Sequence, residues 1–320
     1  MKIREIYDRA IKTGRELDPR GHDEVSRELE RSKKDYDELK EKDKKFFDPE
    51  KLTNPYADSR ILFGDPEREV KRALVGIDME VGEVVLADRL TEKGKPIDLI
   101  IAHHPEGRGM AKLYDVMDMQ SGILLKYGVP INVAEDIMDE RIREVERRLM
   151  PANHNRAVDA ARLLDIPLMC LHTPADNCVT DYLQKLFDES KPYFVSDIVK
   201  ILKDIPEYMT SMSEVGLAPK VVTGSEKRRA GKVFVDMTGG TGGSKKAFEK
   251  LSQAGVGTIV GMHISDDHRK EADKFHVNVV IAGHIPSDNL GMNLLLDNAL
   301  DGVEVVAASG FRRIARTRTG

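Results

Sequence analysis

The chain has 320 residues, of which 40% are hydrophobic and 33% are charged, and its formal net charge is −5. This composition predicts a globular protein long enough for about two domains, and it argues against broad nucleic-acid binding. No apolar run approaches the ~20 residues of a membrane-spanning helix, and the amino terminus lacks the apolar stretch of a signal peptide. Cys170 and Cys178 form no disulfide framework, which indicates a reducing compartment and the cytoplasm as the expected location.

Residues 1–55 are expected to form an amino-terminal helical extension. Charged residues dominate positions 18–50, and a few apolar side chains recur there near helical spacing. These apolar positions are Val25, Leu29, Tyr36 and Leu39. We expect a mostly exposed helix that packs on its own subunit or on a neighbouring one, and a merely solvated face is the simpler alternative.

Residues 56–215 are expected to form a first α/β half with a helical insertion. Residues 69–78 and 98–103 have the apolar character of strands and flank a predicted helix at 80–93. A strand–helix–strand unit of this kind predicts a parallel pair with a right-handed crossover. Further helices are predicted at 115–128, 135–149, 154–165, 178–189 and 195–204, and further strands at 129–134 and 166–172.

Residues 216–320 are expected to form a second α/β half, with strands at 232–237, 257–263 and 277–284 and a helix at 244–254. Its pattern repeats that of the first half, because a strand ending in Asp78 or Asp236 is followed by a strand ending in His103 or His263. The aspartate and histidine are separated by 25 residues in the first half and by 27 in the second. We therefore predict two related α/β halves with largely parallel strands, against the alternative of chance similarity in one motif pair.

Four of the predicted strands end in histidine. The side chains concerned are His103, His104, His172, His263 and His284. The carboxyl ends of parallel strands meet at one sheet edge, where α/β proteins bind their ligands. One such histidine alone would more often be a structural residue, but four strands that end alike favour a metal site at this edge, between the halves.

Two carboxylates lie near these histidines in the sequence. Asp176 stands at the expected start of a helix, where it is either a helix N-cap or a metal ligand. His284 and Asp288 are four residues apart around the start of another helix, a spacing that can place both on one face. Asp288 is alternatively a residue that the helix dipole favours near the amino terminus.

A glycine-rich turn, residues 238–243, separates a predicted strand from a predicted helix. Its glycines are Gly239, Gly240, Gly242 and Gly243. Such a turn exposes backbone N–H groups that can hold a phosphate. The turn matches neither the dinucleotide-binding fingerprint nor the P-loop, and a purely structural turn is an equal alternative.

Residues 98–105, 172–176 and 283–288 resemble the three metal-site motifs of the Nif-three-like dinuclear metal centre family, and residues 59–65 and 235–243 resemble it further. Many members of this family are called type 2 GTP cyclohydrolase I. The resemblance implies a two-half α/β fold and a toroidal homohexamer. It gives the role of metal ligand to His103, His104, Asp176, His284 and Asp288. It also makes His268 a further site histidine.

The chain departs from the family pattern in three places. The family usually has glutamate where this chain has Asp288, and a carboxylate one methylene shorter must sit closer to a metal. The helical stretch between His104 and His172 is long, and the charged segment at 20–50 is unusual.

Together these features predict a dinuclear-metal-dependent hydrolase that acts on a nucleotide or a related phosphate compound. The two divalent ions are expected to be Zn²⁺, Fe²⁺ or Mn²⁺, and His263 or His268 is expected to carry a proton. GTP cyclohydrolase activity is one specific candidate. The alternatives are a non-catalytic metal-binding oligomeric scaffold or regulator and, with weaker support, a nucleotide-binding module that uses only the glycine-rich turn.

Overall fold

The computed structural model describes residues 1–316. The helices are α1 (Ile3–Glu16), α2 (His22–Glu38), α3 (Glu41–Lys44), a short 3₁₀ helix (Pro49–Leu52), α4 (Val81–Glu92), α5 (Gly107–Ala111), α6 (Leu113–Val116), α7 (Met119–Tyr127), α8 (Ile131–Leu149), α9 (Arg156–Leu163), α10 (Thr173–Ser190), α11 (Val195–Lys203), α12 (Pro206–Glu214), α13 (Ala247–Gln253), α14 (Asp266–Lys274) and α15 (His284–Ala299). The strands are β1 (Arg60–Phe63), β2 (Arg72–Gly76), β3 (Leu99–Ala102), β4 (Leu168–Cys170), β5 (Lys220–Thr223), β6 (Lys232–Asp236), β7 (Val256–Gly261), β8 (Asn278–Ile281) and β9 (Glu304–Ala307).

The strands form two sheets that share the order of four strands, and the first sheet has β9 in addition. The first sheet has the order β1-β4-β3-β2-β9 and the second has the order β5-β8-β7-β6. In each sheet the edge strand that comes first in sequence runs antiparallel to its neighbour, and the other pairs are parallel. The prediction of two related α/β halves with largely parallel strands is therefore confirmed.

Helices α10 and α15 lie between the two sheets. Ala175 of α10 and Met292 of α15 are buried in the core against the first sheet, whereas Val179 and Leu290 are buried in the core against the second. A helix covered on both sides is apolar around most of its circumference. This packing places the amino-terminal ends of both helices at the carboxyl edges of the parallel strands.

The strand predicted at 129–134 is wrong. Helix α7 ends at Gly128, which has a left-handed φ of +106°, and α8 begins at Ile131 directly after Pro130. The apolar run at 129–134 resembled a strand, but the buried residues Ala134, Ile137 and Met138 continue it at helical spacing. The two helices instead form an antiparallel pair within the insertion that follows His104.

Helix α1, near the start of the sequence, and strand β9, late in the sequence, complete the first half. Ile3, Ile6 and Ala10 of α1 are fully buried in the core of the first sheet. Strand β9 returns to pair with β2 in parallel, so a segment late in the sequence closes the first sheet. The positions at which the chain divides into domains stay a prediction.

The extension packs partly on its own chain. Val25 of α2 is only 2% exposed, which agrees with packing on its own subunit, one of the two expected alternatives. The ring of Tyr36 packs against that of Phe47 with centroids 5.0 Å apart. Among residues 1–316, no helix is long and apolar enough to cross a membrane.

Candidate metal centre

The strand-end histidines converge at the carboxyl edges of the parallel strands. His103 and His104 follow β3, His172 lies between β4 and α10, and His284 is the first residue of α15 after β8. The rings of neighbouring histidines in this group have centroids between 5.0 and 6.0 Å apart. Four imidazoles from distant parts of the chain therefore share one small volume.

Asp288 lies at the middle of this group. Its Oδ1 is 3.5 Å from His103 Nε2, and its Oδ2 is 3.5 Å from both His104 Nε2 and His284 Nε2. One carboxylate thus faces three imidazole nitrogens, and its two oxygens face different ones. The position suits a carboxylate that is shared between two cations.

Asp176 completes the cluster from α10. Its Oδ1 is 3.5 Å from His103 Nε2, and its Oδ2 is 3.6 Å from His172 Nε2. Ligand atoms at ~2.1 Å from a tetrahedral metal ion lie roughly 3.4 Å from one another. The observed separations therefore fit ligand atoms around a cation, and three overlapping groups of these side chains could hold a metal ion.

Hydrogen bonds behind the rings fix which nitrogen faces the centre. His103 Nδ1 lies 3.3 Å from Leu171 O, so it donates to this carbonyl. The Nδ1 atoms of His104 and His172 lie 2.7 Å and 2.8 Å from carboxylate oxygens of Asp78 and Asp58, respectively. Since each Nδ1 is engaged outside the cluster, each Nε2 is directed into it, as in histidines that bind metal.

The centre contains buried polar atoms without hydrogen-bond partners. Within residues 1–316, these include His103 Nε2 and both carboxylate oxygens of Asp288. Leaving such groups buried and unpaired is costly. Cations bound on the two sides of Asp288 would satisfy these atoms, so the residues present fit a metal centre.

The protonation states of His103 and Asp288 suit metal ligands. Burial lowers the pKa of His103 to about 4, so its Nε2 lone pair is free at neutral pH. The pKa of Asp288 lies well below its usual range, because the surrounding imidazoles, His103 first, outweigh the effect of burial. Burial raises the pKa of Asp176 to about 7. Burial lowers the pKa of His172, but the carboxylates of Asp176 and Asp58 outweigh it and raise it to about 9.

A cavity of about 310 Å³ opens onto the cluster. His104 and His284 line it on one side, and Gly240 and Gly242 of the glycine-rich turn line it on another. Glu106 lies at its rim, where burial, followed by repulsion from Glu80, raises the pKa of its carboxyl to about 7. The centre is thus open to a small molecule that would lie between the histidines and the turn.

The other predicted site residues are distributed around this cavity. His263 lines it, and its ring centroid is 5.1 Å from that of His284. The structure does not bring His268 to the cluster, because its Nε2 donates to Gly243 O at 2.9 Å and its side chain is not part of the described cavity wall. Gly239 and Gly243 are also absent from the described cavity wall.

Three residues of the centre were missing from the predicted ligand set. They are His172, which faces Asp176, and the supporting carboxylates Asp58 and Asp78. The sequence held a signal for His172, because His172 and Asp176 repeat in the first half the spacing of His284 and Asp288 in the second. Asp58 and Asp78 are far from their histidines in sequence, and no local spacing identifies them.

No protein-family model and no curated protein matches the chain. Among solved structures, a NIF3 superfamily protein from Sphaerobacter thermophilus has 26% identity and a TM-score of 0.70, covering 81% of this chain and 94% of its own. Reduced HcgD from Methanocaldococcus jannaschii has 17% identity and a TM-score of 0.49, covering 82% and 93%. A Bacillus cereus protein related to NIF3 has 13% identity and a TM-score of 0.42, covering 78% and 91%. The likeness to the Sphaerobacter thermophilus protein confirms the resemblance indicated by the motifs.

Proposed function

We propose, from the premise that this chain is a NIF3-like protein, that it is a dinuclear-metal-dependent hydrolase of a nucleotide or a related phosphate compound. The observation that carries the proposal is Asp288. Its carboxylate is buried, neither oxygen has a hydrogen-bond partner among the described residues, and three histidine Nε2 atoms lie 3.5 Å away. A group in this position is better explained as a shared metal ligand than as a structural residue.

The geometry supports two cation positions. One would be held by His104, His284 and Oδ2 of Asp288, and the other by His103, His172, Asp176 and Oδ1 of Asp288. Mixed imidazole and carboxylate donors suit Zn²⁺, Fe²⁺ or Mn²⁺. The aspartate at position 288, where glutamate is usual, still reaches the three imidazoles.

Exposure of the centre favours catalysis over a purely structural role. The side chains of His104 and His284 are 25% and 42% exposed, and both line the cavity. Structural metal sites are closed by protein ligands, whereas catalytic sites keep a position open to water or substrate. When bound, two divalent ions would lower the pKa of a water molecule and polarise a phosphoryl oxygen.

The chain's own residues supply the remaining chemistry in this proposal. His263 lines the cavity, and burial lowers its pKa, so its imidazole is neutral and can accept a proton near neutral pH. His268 is less suited to this role in the described geometry because its Nε2 donates to Gly243 O. The rim carboxyl of Glu106 is a further group positioned to exchange a proton with a bound molecule.

The proposal extends to the assembly, the specific substrate and the location of the protein. The family resemblance favours a homohexamer and makes GTP cyclohydrolase activity a specific candidate. The free, buried thiols of Cys170 and Cys178 agree with the reducing environment of the cytoplasm. The competing function, a non-catalytic metal-binding scaffold, would share the metal centre but show no turnover.

A turnover screen separates these two functions. The purified chain would be loaded with Zn²⁺, Fe²⁺ or Mn²⁺ and offered nucleotides, including GTP, and simple phosphoesters. We expect hydrolysis that is lost on chelation, restored by metal and absent in His104→Ala. Metal binding without turnover on any of these substrates would favour the scaffold, and turnover that survives in metal-free His104→Ala would refute the mechanism.

A further inference from the structure

The glycine-rich turn is held by side chains that reach it from elsewhere in the chain. Gln120, from α7 of the insertion, donates through Nε2 to Gly239 O at 2.6 Å and to Thr241 O at 2.8 Å. Arg141 Nε of α8 donates to Gly242 O at 2.9 Å. His268 Nε2 also donates to Gly243 O. Side chains therefore hold four of the five carbonyl groups of residues 239–243.

All three donors lie outside the described wall of the cavity beside the candidate metal centre. Gly240, Thr241 and Gly242 line the cavity beside the cluster, whereas Gln120, Arg141 and His268 are not part of its described wall. The carbonyl groups that accept these hydrogen bonds therefore point away from the cavity.

The backbone N–H groups of the same peptides must then point the opposite way. In a trans peptide the C=O of one residue and the N–H of the next are antiparallel, and residues 1–316 contain no cis peptide. Since the carbonyls of Gly239 and Thr241 face Gln120, the N–H groups of Gly240 and Gly242, two residues that line the cavity, face the cavity side. Neither of these two N–H groups donates a hydrogen bond to another described residue.

The glycines of the turn are required by its backbone conformation and by the close approach of Gln120. Gly239 and Gly240 have left-handed φ values of +92° and +83°, which other residues rarely adopt. A Cβ on Gly239 would lie 2.7 Å from Gln120 Cγ, and one on Gly243 would overlap Gln120 Oε1. Gln120 therefore packs directly against the turn, and the turn has no room for larger residues on that side.

We propose that Gln120 is a positioning residue that turns the backbone N–H groups of Gly240 and Gly242 toward the cavity and so builds a binding site for a phosphate group opposite the metal centre. Convergent backbone N–H groups form concave sites that bind anions. This site would hold the phosphate group of the substrate, an assignment that rests on the proposed function. It assigns the insertion after His104 a role, since this insertion supplies Gln120 and Arg141.

The matched control is Gln184, which makes equivalent bonds to backbone in the second sheet. Its Nε2 donates to Val233 O at 3.3 Å, and its Oε1 accepts from Val235 N at 3.0 Å. Gln184→Met and Gln120→Met each remove an amide that bonds to the backbone and keep the length of the side chain. Only Gln120→Met releases the glycine-rich turn.

A second variant tests the site from the cavity side. Gly242 has no left-handed φ, and a Cβ there would meet only His263 Cε1 at 3.9 Å. Gly242→Ala therefore leaves the fold and the bonds of Gln120 in place but adds a methyl group close to the proposed phosphate position.

The experiment measures binding of inorganic phosphate to the full chain by isothermal titration calorimetry, with metal content and thermal midpoint recorded for every variant. We expect Gln120→Met and Gly242→Ala each to weaken phosphate binding by about tenfold or more, as loss of one charged-group hydrogen bond would do. Metal content should stay at the wild-type level, and Gln184→Met should bind phosphate normally.

Three outcomes would overturn the inference: no phosphate binding by the wild type, normal binding by folded Gln120→Met and Gly242→Ala, or equal weakening in Gln184→Met. Phosphate binding that depends on Gln120 in a chain without metal would keep the inference and refute only the hydrolase proposal. Metal-dependent turnover in a chain whose phosphate binding does not depend on Gln120 would keep the hydrolase proposal and refute the role given to Gln120.

Discussion

Gly291 of α15 lies directly against the carbonyl oxygen of Ala175 of α10, so closely that a Cβ on Gly291 would overlap this oxygen. The contact brings the starts of the two central helices together. Asp176 follows Ala175 in the chain, and Asp288 lies about one turn before Gly291. Both carboxylates consequently reach His103 Nε2, at 3.5 Å each.

Gly291→Ala should force the two central helices apart. We expect a loss of about 1–3 kcal/mol in the free energy of unfolding, as for other overpacked cores, together with lower metal affinity. The control is Gly82→Ala in α4, where the new Cβ meets nothing within 4 Å and should be neutral or stabilising by up to ~1 kcal/mol. Urea unfolding curves measure both effects, and equal midpoints for Gly291→Ala and wild type would disprove the role of the contact.

Asp58→Asn should weaken metal binding without removing a ligand. Asp58 Oδ2 accepts the hydrogen bond from His172 Nδ1 at 2.8 Å and also one from Thr173 Oγ1 at 2.6 Å. Loss of such a supporting carboxylate typically costs 10–100-fold in metal affinity, which competition with a chromogenic chelator measures.

Asp98→Asn is the control for Asp58→Asn, because Asp98 accepts from the N–H groups of Lys71 and Arg72 at the opposite end of the first sheet. Its metal affinity should equal that of wild type. If Asp58→Asn and Asp98→Asn bind metal equally well, His172 is not oriented for metal by Asp58.

The sequence predicted the repeat of the fold well because strand-ending aspartates and histidines mark equivalent positions. The pairs Asp78 and His103, and Asp236 and His263, follow strands that occupy matching places in the two sheets. The strand predicted at 129–134 failed because a short apolar run does not distinguish a buried strand from the first turn of a buried helix.

Most of the metal-site residues were recognisable because each follows a strand or starts a helix. The supporting contacts were not, since they join residues remote in sequence, such as Gln120 with Gly239 and Asp58 with His172. Such pairs are set by tertiary packing, and no local pattern encodes them.

The two cysteines should be unreactive in the folded chain. Burial raises the pKa of the Cys170 thiol to about 12 and raises that of Cys178 as well. The reactive thiolate is therefore scarce at pH 8, and its fraction rises only as the pH approaches the raised pKa. With a colorimetric disulfide reagent at pH 8, we expect almost no reaction in buffer and two thiols per chain in denaturant. A thiol that reacts rapidly in the native chain would contradict the described burial.

The full chain should form a closed homo-oligomer, with six subunits as the family resemblance implies. Light scattering measures the mass directly, and a monomeric mass would refute the assembly. Removing the entire extension is not a clean test of its role, because Ile3, Ile6 and Ala10 of α1 belong to the core. Phe46→Ser is better suited, since Phe46 is 78% exposed, and an unchanged mass would exclude only a contribution of this side chain.

Metal content per chain, measured by elemental analysis, tests the central claim most directly. After purification with metal supplied, the wild type and the control His22→Ala, whose side chain is exposed on α2, should contain about two divalent ions per chain. His104→Ala should lose part of this metal, and Asp288→Ala should lose most of it, because Asp288 faces both proposed cation positions. The account is contradicted if the wild type contains no metal, or if His104→Ala and Asp288→Ala both retain the wild-type content.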